Sequence, residues 1–159
     1  MSELRIGLGV DAHAFEAGVR LVLGGVEFDN PRGLAGHSDG DVIAHALTDA
    51  LLGAAGLGDI GSLFPPGDES LRGVDSLVLL AEAYRQVRAA GYELVNADCI
   101  LIGEEPRIAG RRDEMRRRLA EALGVEAERV NVRATTTDRL GFTGRGEGLA
   151  AEAVALLAR

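Results

Sequence analysis

The segment Arg5-Ile6-Gly7-Leu8-Gly9-Val10-Asp11 alternates apolar residues with glycine at a period of two. That period belongs to a β-strand, whose successive side chains point to opposite faces. The strand has an apolar face and a bare one, and a bare face lets another backbone approach closely. Glycine is abundant throughout: 22 of 159 residues, roughly twice average usage. It follows neither the strict period of collagen nor the serine bias of a linker, so it implies many sharp turns. One such turn is expected at Gly24-Gly25, between Val19–Leu23 and Val26–Phe28, where two glycines can take the positive φ values of a hairpin.

Ser38 to Ala54 predicts a first helix, with Ser38 as N-cap and Asp41 three residues on in a variant of the capping box. Ile43, Ala46, Leu47, Ala50 and Ala54 form its apolar face, and Asp41, His45 and Asp49 line another edge. From Gly56 to Gly73, Pro65-Pro66 and Gly67-Asp68 break the helical pattern, and a stretch this long points to a functional loop. Asp75 caps a second helix whose inward face is Leu77, Leu80, Ala81, Tyr84 and Val87, and Gly91 stops it. Leu94 to Ile102 and Val130 to Thr137 read as strands, and Ile108 to Leu123 as a third helix with Met115, Leu119 and Leu123 inward. Gly148 to Ala158 fits a helix by its alanines and a buried strand by its short apolar run. The length, 159 residues without repeat or linker, fits a single domain.

Charge narrows the function classes. The formal net charge is −8, so a broad nucleic-acid surface or an acidic membrane surface would oppose the protein's own field. Arg111, Arg112, Arg116, Arg117 and Arg118 cluster on the third helix, but Asp113, Glu114 and Glu121 are interleaved, as on a solvated face. A single cysteine, Cys99, allows neither an intrachain disulfide nor a cysteine-rich zinc site and suits a reducing cytoplasm. No apolar run is long enough to span a bilayer, and Met1-Ser2-Glu3-Leu4-Arg5 leads into a strand instead of a signal-peptide core. The expectation is a soluble cytoplasmic protein.

All three histidines, His13, His37 and His45, fall in the first 45 residues, each near an aspartate. Asp11 and His13 are two apart on a strand and share a face, while His45 projects from the first helix. Two imidazoles and a carboxylate are a suitable zinc set that leaves a fourth position for water or a phosphate oxygen. Spacing alone equally allows two exposed histidines and a capping one, since convergence of strand and helix lies beyond it. Thr135-Thr136-Thr137-Asp138, followed by Gly141-Phe142-Thr143-Gly144-Arg145-Gly146-Glu147-Gly148, offers hydroxyls and amides for phosphate and a carboxylate for a hard cation. Glycines more often mark ordinary turns. Asp59, before Ile60-Gly61, either terminates structure or accepts bonds from sugar hydroxyls.

In this order and spacing, Asp11-Ala12-His13, His37-Ser38-Asp39-Gly40-Asp41 with His45, Gly58-Asp59-Ile60-Gly61 and the segment from Thr135 to Gly148 closely resemble the 2-C-methyl-D-erythritol 2,4-cyclodiphosphate synthase family. The resemblance covers essentially the whole chain. It implies conversion of 4-diphosphocytidyl-2-C-methyl-D-erythritol 2-phosphate into the cyclic diphosphate and CMP, in the non-mevalonate route to isoprenoids. It also implies an α+β fold with a mixed sheet and helices on one face, in a homotrimer whose sheets pack around a central axis. Active sites would lie between subunits, and the C-terminal run would be a strand.

Residue by residue, the resemblance makes Asp11, His13 and His45 the Zn2+ ligands and Asp138 the carboxylate for Mg2+ or Mn2+, at a position more familiar as glutamate. His37 and Ser38 match contacts to the phosphate and erythritol part, and Asp59, Ile60 and Gly61 match residues that hold the erythritol or cytidine portion. Phe64 and Asp68 belong to the following loop, where Pro66-Gly67 departs from a more polar pattern. Gly103 to Ala109, with Arg107, matches a cytidine-binding loop, and Thr135, Thr136 and Thr137 match phosphate contacts. Phe142 and Arg145 match a central channel able to take up an isoprenoid diphosphate. A metal-dependent phosphohydrolase and a non-catalytic metal- or nucleotide-binding trimer are the rival readings. Neither needs a cytidine loop and a second cation site together.

Overall fold

The structure is a computed structural model that describes residues 3–159. In chain order its strands are β1 (Leu4–Ala17), β2 (Leu21–Leu23), β3 (Val26–Phe28), β4 (Arg32–Leu34), β5 (Glu93–Ile102), β6 (Val130–Thr135) and β7 (Gly148–Ala158). The helices are α1 (Val42–Ala55), α2 (Ile60–Leu63), α3 (Ser76–Ala89), α4 (Arg112–Leu123) and α5 (Gly141–Gly144). Five strands form a mixed sheet in the order β4-β1-β7-β5-β6, where only β5 and β6 run parallel. The C-terminal run is therefore a strand: its alanines lose their helical preference to full pairing with β1 and β5 on either side. β2 and β3 form a separate hairpin, with Gly24 and Gly25 both at positive φ as its two-residue turn requires.

The bare face of β1 carries α1. A Cβ built on Gly9 would stand 1.8 Å from the Ala46 carbonyl oxygen, and one on Gly7 2.0 Å from that of Ala50. Ala46, Ala50 and Ala54 present the helix side of this contact, and Ala151, Ala153 and Ala155 of β7 continue the small-residue surface beside it. Two strand residues advance about 6.6 Å and four helix residues about 6 Å, so each turn of α1 meets the next inward position of β1.

The start of α1 differs from the sequence expectation. Ser38 lies in a loop and Asp41 is the N-cap, because Gly40 sits at φ +74 and interrupts any helix begun at Ser38. Asp41 is fully buried instead of lining an edge. Its carboxylate accepts from Ala44 N at 3.1 Å and reaches the hairpin turn at Gly24 N (2.9 Å) and Gly25 N (2.7 Å). Burial pushes its pKa up to about 6 against these amide donors. The loop from Gly56 to Gly73 contains α2 and a 3-10 turn at Glu69–Leu71, α4 starts after a 3-10 turn at Ala109–Arg111, and β6 stops at Thr135. Met115, Leu119 and Leu123 are buried, while Arg111, at the end of the 3-10 turn, and Arg116 pair with Glu114 and Asp113 of α4.

All the inward residues of the sheet belong to one face. On the other, Ile6 is 73% and Leu8 63% exposed, beside Leu4 and Val10. The register sets Leu156 and Val154 of β7 next to Ile6 and Leu8, with Ile100 and Ile102 of β5 further across. Contiguous apolar surface of this kind marks an interaction face.

The clamp between α1 and β1 is directly testable. Gly9→Ala destabilises the fold by about 4 kcal/mol or more, because the clash is with backbone, which lowers Tm by roughly 10 °C or more. In Gly53→Ala, where an added Cβ meets nothing within 4 Å, Tm stays unchanged or rises. Equal melting of Gly9→Ala and the parent in a calorimeter would refute the close approach.

Candidate active site

Beyond Gly9, the same face of β1 presents Asp11 and His13, and the same turn of α1 that holds Ala46 presents His45. Asp11 Oδ2 lies 2.8 Å from His13 Nε2 and 3.0 Å from His45 Nδ1, and the two imidazole nitrogens are 3.2 Å apart. Burial pushes the Asp11 carboxyl up, and its contacts with the His13 and His45 imidazoles outweigh it, leaving a pKa of about 2. The Asp11 hydrogen bond raises the pKa of His13 against the opposing effect of burial.

This donor set fits a divalent ion. Tetrahedral zinc with bonds near 2.0–2.1 Å spaces its ligand atoms about 3.3 Å apart, so the three atoms need to spread only by tenths of an ångström. Among the described residues, Asp11, His13 and His45 are the cluster able to hold a metal. They open onto a cavity of about 250 Å3 whose wall also includes His37, Ser38, Ile60, Gly61 and Phe64. A larger groove of about 810 Å3 runs between α3 and α4 but contains no such group.

The other residues singled out in the sequence fall into two sets. Near the cavity, His37 Nε2 donates to the Asp68 carbonyl at 2.8 Å, which closes the loop over it. The Asp68 carboxylate accepts from Ser70 N and Oγ, and Asp59 caps α2 by accepting from Ser62 N and Oγ. Gly103, Arg107, Thr135, Thr136, Thr137, Asp138, Phe142 and Arg145 do not line this cavity. Gly103 N donates to the Thr135 carbonyl at 3.1 Å, joining the ends of β5 and β6. Asp138 and Arg139 hold φ of 53 and 68, strained values for non-glycine residues and common at functional loops. Arg107 and Asp138 are exposed, Phe142 is partly exposed, and Arg145 pairs with Glu147 at 2.9 Å.

The register explains the division. Ala12 pairs with Ala150, Ala150 with Ile102 and Ile102 with Thr135. Thr135 thus lies in the row of Ala12, on the face without helices, three strands or about 14 Å from β1. Asp11 and His13 point to the opposite face. Sequence reasoning assigned no role to Asp39 and Ser76, which stand behind His45. Asp39 lay within a quoted motif, but Ser76 carried no signal beyond following a helix cap.

A family model described as the YgbB family matches residues 4–158. The chain belongs to the YgbB family. Its relatives include the 2-C-methyl-D-erythritol 2,4-cyclodiphosphate synthase of Moorella thermoacetica, 59% identical over 154 residues, covering 97% of this chain and 94% of the relative. The synthase of the same name from Rubrobacter xylanophilus is 60% identical over 162 residues, covering 100% and 98%. Among solved structures, the bifunctional IspDF from Campylobacter jejuni matches with a TM-score of 0.96 at 44% identity over 99% of this chain and 43% of that one. A CDP-bound 2C-methyl-D-erythritol-2,4-cyclodiphosphate synthase matches with a TM-score of 0.87 at 40% identity over 96% and 99%. This YgbB chain therefore shares the α+β fold of these synthases along nearly its whole length.

If Asp11, His13 and His45 form the metal centre, His45→Ala loses its zinc on dialysis while His37→Ala, altered in the same cavity but outside the triad, retains it. Elemental analysis of both variants reads this outcome. Full zinc in His45→Ala would exclude the triad.

Proposed function

We propose that this YgbB member converts 4-diphosphocytidyl-2-C-methyl-D-erythritol 2-phosphate into 2-C-methyl-D-erythritol 2,4-cyclodiphosphate and CMP, a phosphorus–oxygen lyase reaction of non-mevalonate isoprenoid biosynthesis. The observation that carries this reading is the convergence of Asp11, His13 and His45 on one cavity wall. The names of the relatives and the CDP-bound neighbour support the substrate class. We read residues 1–159 as a single synthase domain working in the cytoplasm. No helix among the described residues is long and apolar enough to cross a membrane.

The reaction brings a phosphate onto the β-phosphorus of a diphosphate when both are anionic, in a protein that is itself acidic. When bound, zinc on Asp11, His13 and His45 and Mg2+ or Mn2+ on Asp138 supply positive charge and Lewis acidity to the phosphate oxygens. His37 and Ser38 orient the 2-phosphate. Ile60, Gly61 and Phe64 pack the methylerythritol part, with Asp59 and Asp68 shaping the loop around it. Thr135, Thr136 and Thr137 offer hydroxyls to the diphosphate, and Gly103 with Arg107 receives the cytidine.

An oxygen of the 2-phosphate forms the new bond to the β-phosphorus as the bond from that phosphorus to the bridging oxygen breaks, and CMP leaves with the electron pair. No water enters. Because both reacting groups belong to one substrate, holding it folded contributes several kcal/mol, on the order of known effective-molarity effects.

In one chain Thr135 lies on the face of the sheet opposite to Asp11 and His13, so the reading includes a homotrimer in which the bare apolar faces meet around an axis. Each site then combines the metal triad of one subunit with the Thr135–Asp138 loop of a neighbour. Burying residues such as Leu4, Ile6, Leu8 and Val10 contributes roughly 1.5–3 kcal/mol per side chain. Phe142 and Arg145 would border the central channel, where an isoprenoid diphosphate is the ligand expected.

Cyclisation and hydrolysis both release CMP, and turnover in oxygen-18 water separates them. The proposal predicts unlabelled cyclic diphosphate with equimolar CMP by mass spectrometry. Stoichiometric label in the methylerythritol product or in CMP would make the protein a phosphohydrolase.

A further inference from the structure

His45 has a second nitrogen, and its surroundings determine where its proton lies. Nε2 is 2.8 Å from Ser76 Oγ and 3.1 Å from Ser38 Oγ, on the side of the ring away from Asp11. Ser76 is fully buried at the first position of α3. Its hydroxyl makes a very short contact with Asp39 Oδ1, and its backbone N donates to Asp39 Oδ2 at 3.0 Å. Asp39 Oδ1 also accepts from Asp41 N at 3.0 Å. The carboxylate is thus surrounded by donors.

A serine hydroxyl has one hydrogen and accepting lone pairs. The Ser76 hydrogen is committed to Asp39, so Ser76 Oγ offers His45 only lone pairs. Ser38 Oγ accepts from Gly40 N at 3.3 Å and can turn its own hydrogen to Ser76 Oγ at 3.4 Å, so an N–H on His45 Nε2 satisfies both serines and leaves Nδ1 without a hydrogen. Nδ1 is the atom facing Asp11 Oδ2 and His13 Nε2. The opposite tautomer would let Nδ1–H donate to Asp11 Oδ2 at 3.0 Å, but that oxygen already has His13 Nε2 at 2.8 Å, and the change would set the Nε2 lone pair against that of Ser76 Oγ at 2.8 Å.

We infer that Ser76 and Asp39 are positioning residues: their hydrogen-bonded chain holds His45 in the Nε2–H tautomer and so presents its Nδ1 lone pair as a ready metal ligand. This inference rests on reading Asp11, His13 and His45 as the metal centre. Partners of this kind on the far nitrogen of a ligating histidine change metal affinity by roughly 10–100-fold. Without the chain, Nδ1–H donating to Asp11 becomes the better arrangement, and a metal must first displace that proton.

The test uses the full chain, stripped of metal and labelled with nitrogen-15. With only three histidines present, long-range proton–nitrogen correlation spectra identify the His45 tautomer directly. The wild-type ring should show Nε2–H, Ser76→Ala should move to Nδ1–H, and Ser76→Thr, which restores a hydroxyl, should return to Nε2–H. Zinc titration against a competing chelator should show a roughly 10–100-fold weaker Kd for Ser76→Ala and recovery in Ser76→Thr. A wild-type ring in the Nδ1–H tautomer would overturn the inference, even if Ser76→Ala fails to fold. So would a folded Ser76→Ala with zinc affinity within about twofold of wild type. If the wild type binds no zinc, the metal reading fails on its own, and the tautomer in the metal-free protein still decides the role of Ser76.

Discussion

The contact of α1 with β1 across Gly7 and Gly9 sets the geometry on which the site depends. Helix backbone lies where side chains would otherwise stand, with Ala46 and Ala50 carbonyls closer to the strand than any Cβ allows. Helical and strand repeats advance nearly equally along this line. The next inward strand residues, Asp11 and His13, therefore reach the first turns of the helix, where His45 stands beside Ala46. Larger residues would lift the helix and separate the histidines, so the same glycines that thin the core also assemble the polar cluster.

That polar cluster is costly to bury unless its hydrogen bonds are satisfied. Behind His45, Ser38, Ser76 and Asp39 meet this need, and Asp41 ties the start of α1 to the Gly24-Gly25 turn. The helix N-terminus is thus held from two sides. On the opposite face of the sheet the situation reverses: apolar residues of β1, β5 and β7 face outward beside Thr135. The covered face supplies cluster and cavity, and the open face is the surface that the proposed trimer would bury.

Much of this architecture was legible in the sequence. Period-two glycine identified β1, period-3.6 alanine and leucine identified α1 and α3, and the Gly24-Gly25 pair identified the hairpin. The pattern also put Asp11 and His13 on one face. Local patterns cannot express tertiary contact, which is where the reading diverged. Ser38 and Asp41 are both good caps, and the choice between them depends on hairpin amides that come from elsewhere in the chain. The alanine-rich C-terminus, open by pattern and a strand by the resemblance, is a strand because two neighbours pair with it. Ser76 met His45 across 31 residues of sequence. Which face of the sheet each motif occupies came only from the register.

The central claim is that two neighbouring chains complete one site. Mixing His45→Ala subunits with Asp138→Ala subunits tests it most directly, because each parent lacks a different half. In a cyclic trimer every mixed assembly contains one intact junction, so random mixing should restore about a quarter of wild-type cyclase activity. Mixed trimers, verified by native mass spectrometry, that remain no more active than either parent would contradict the account and place both halves within one chain.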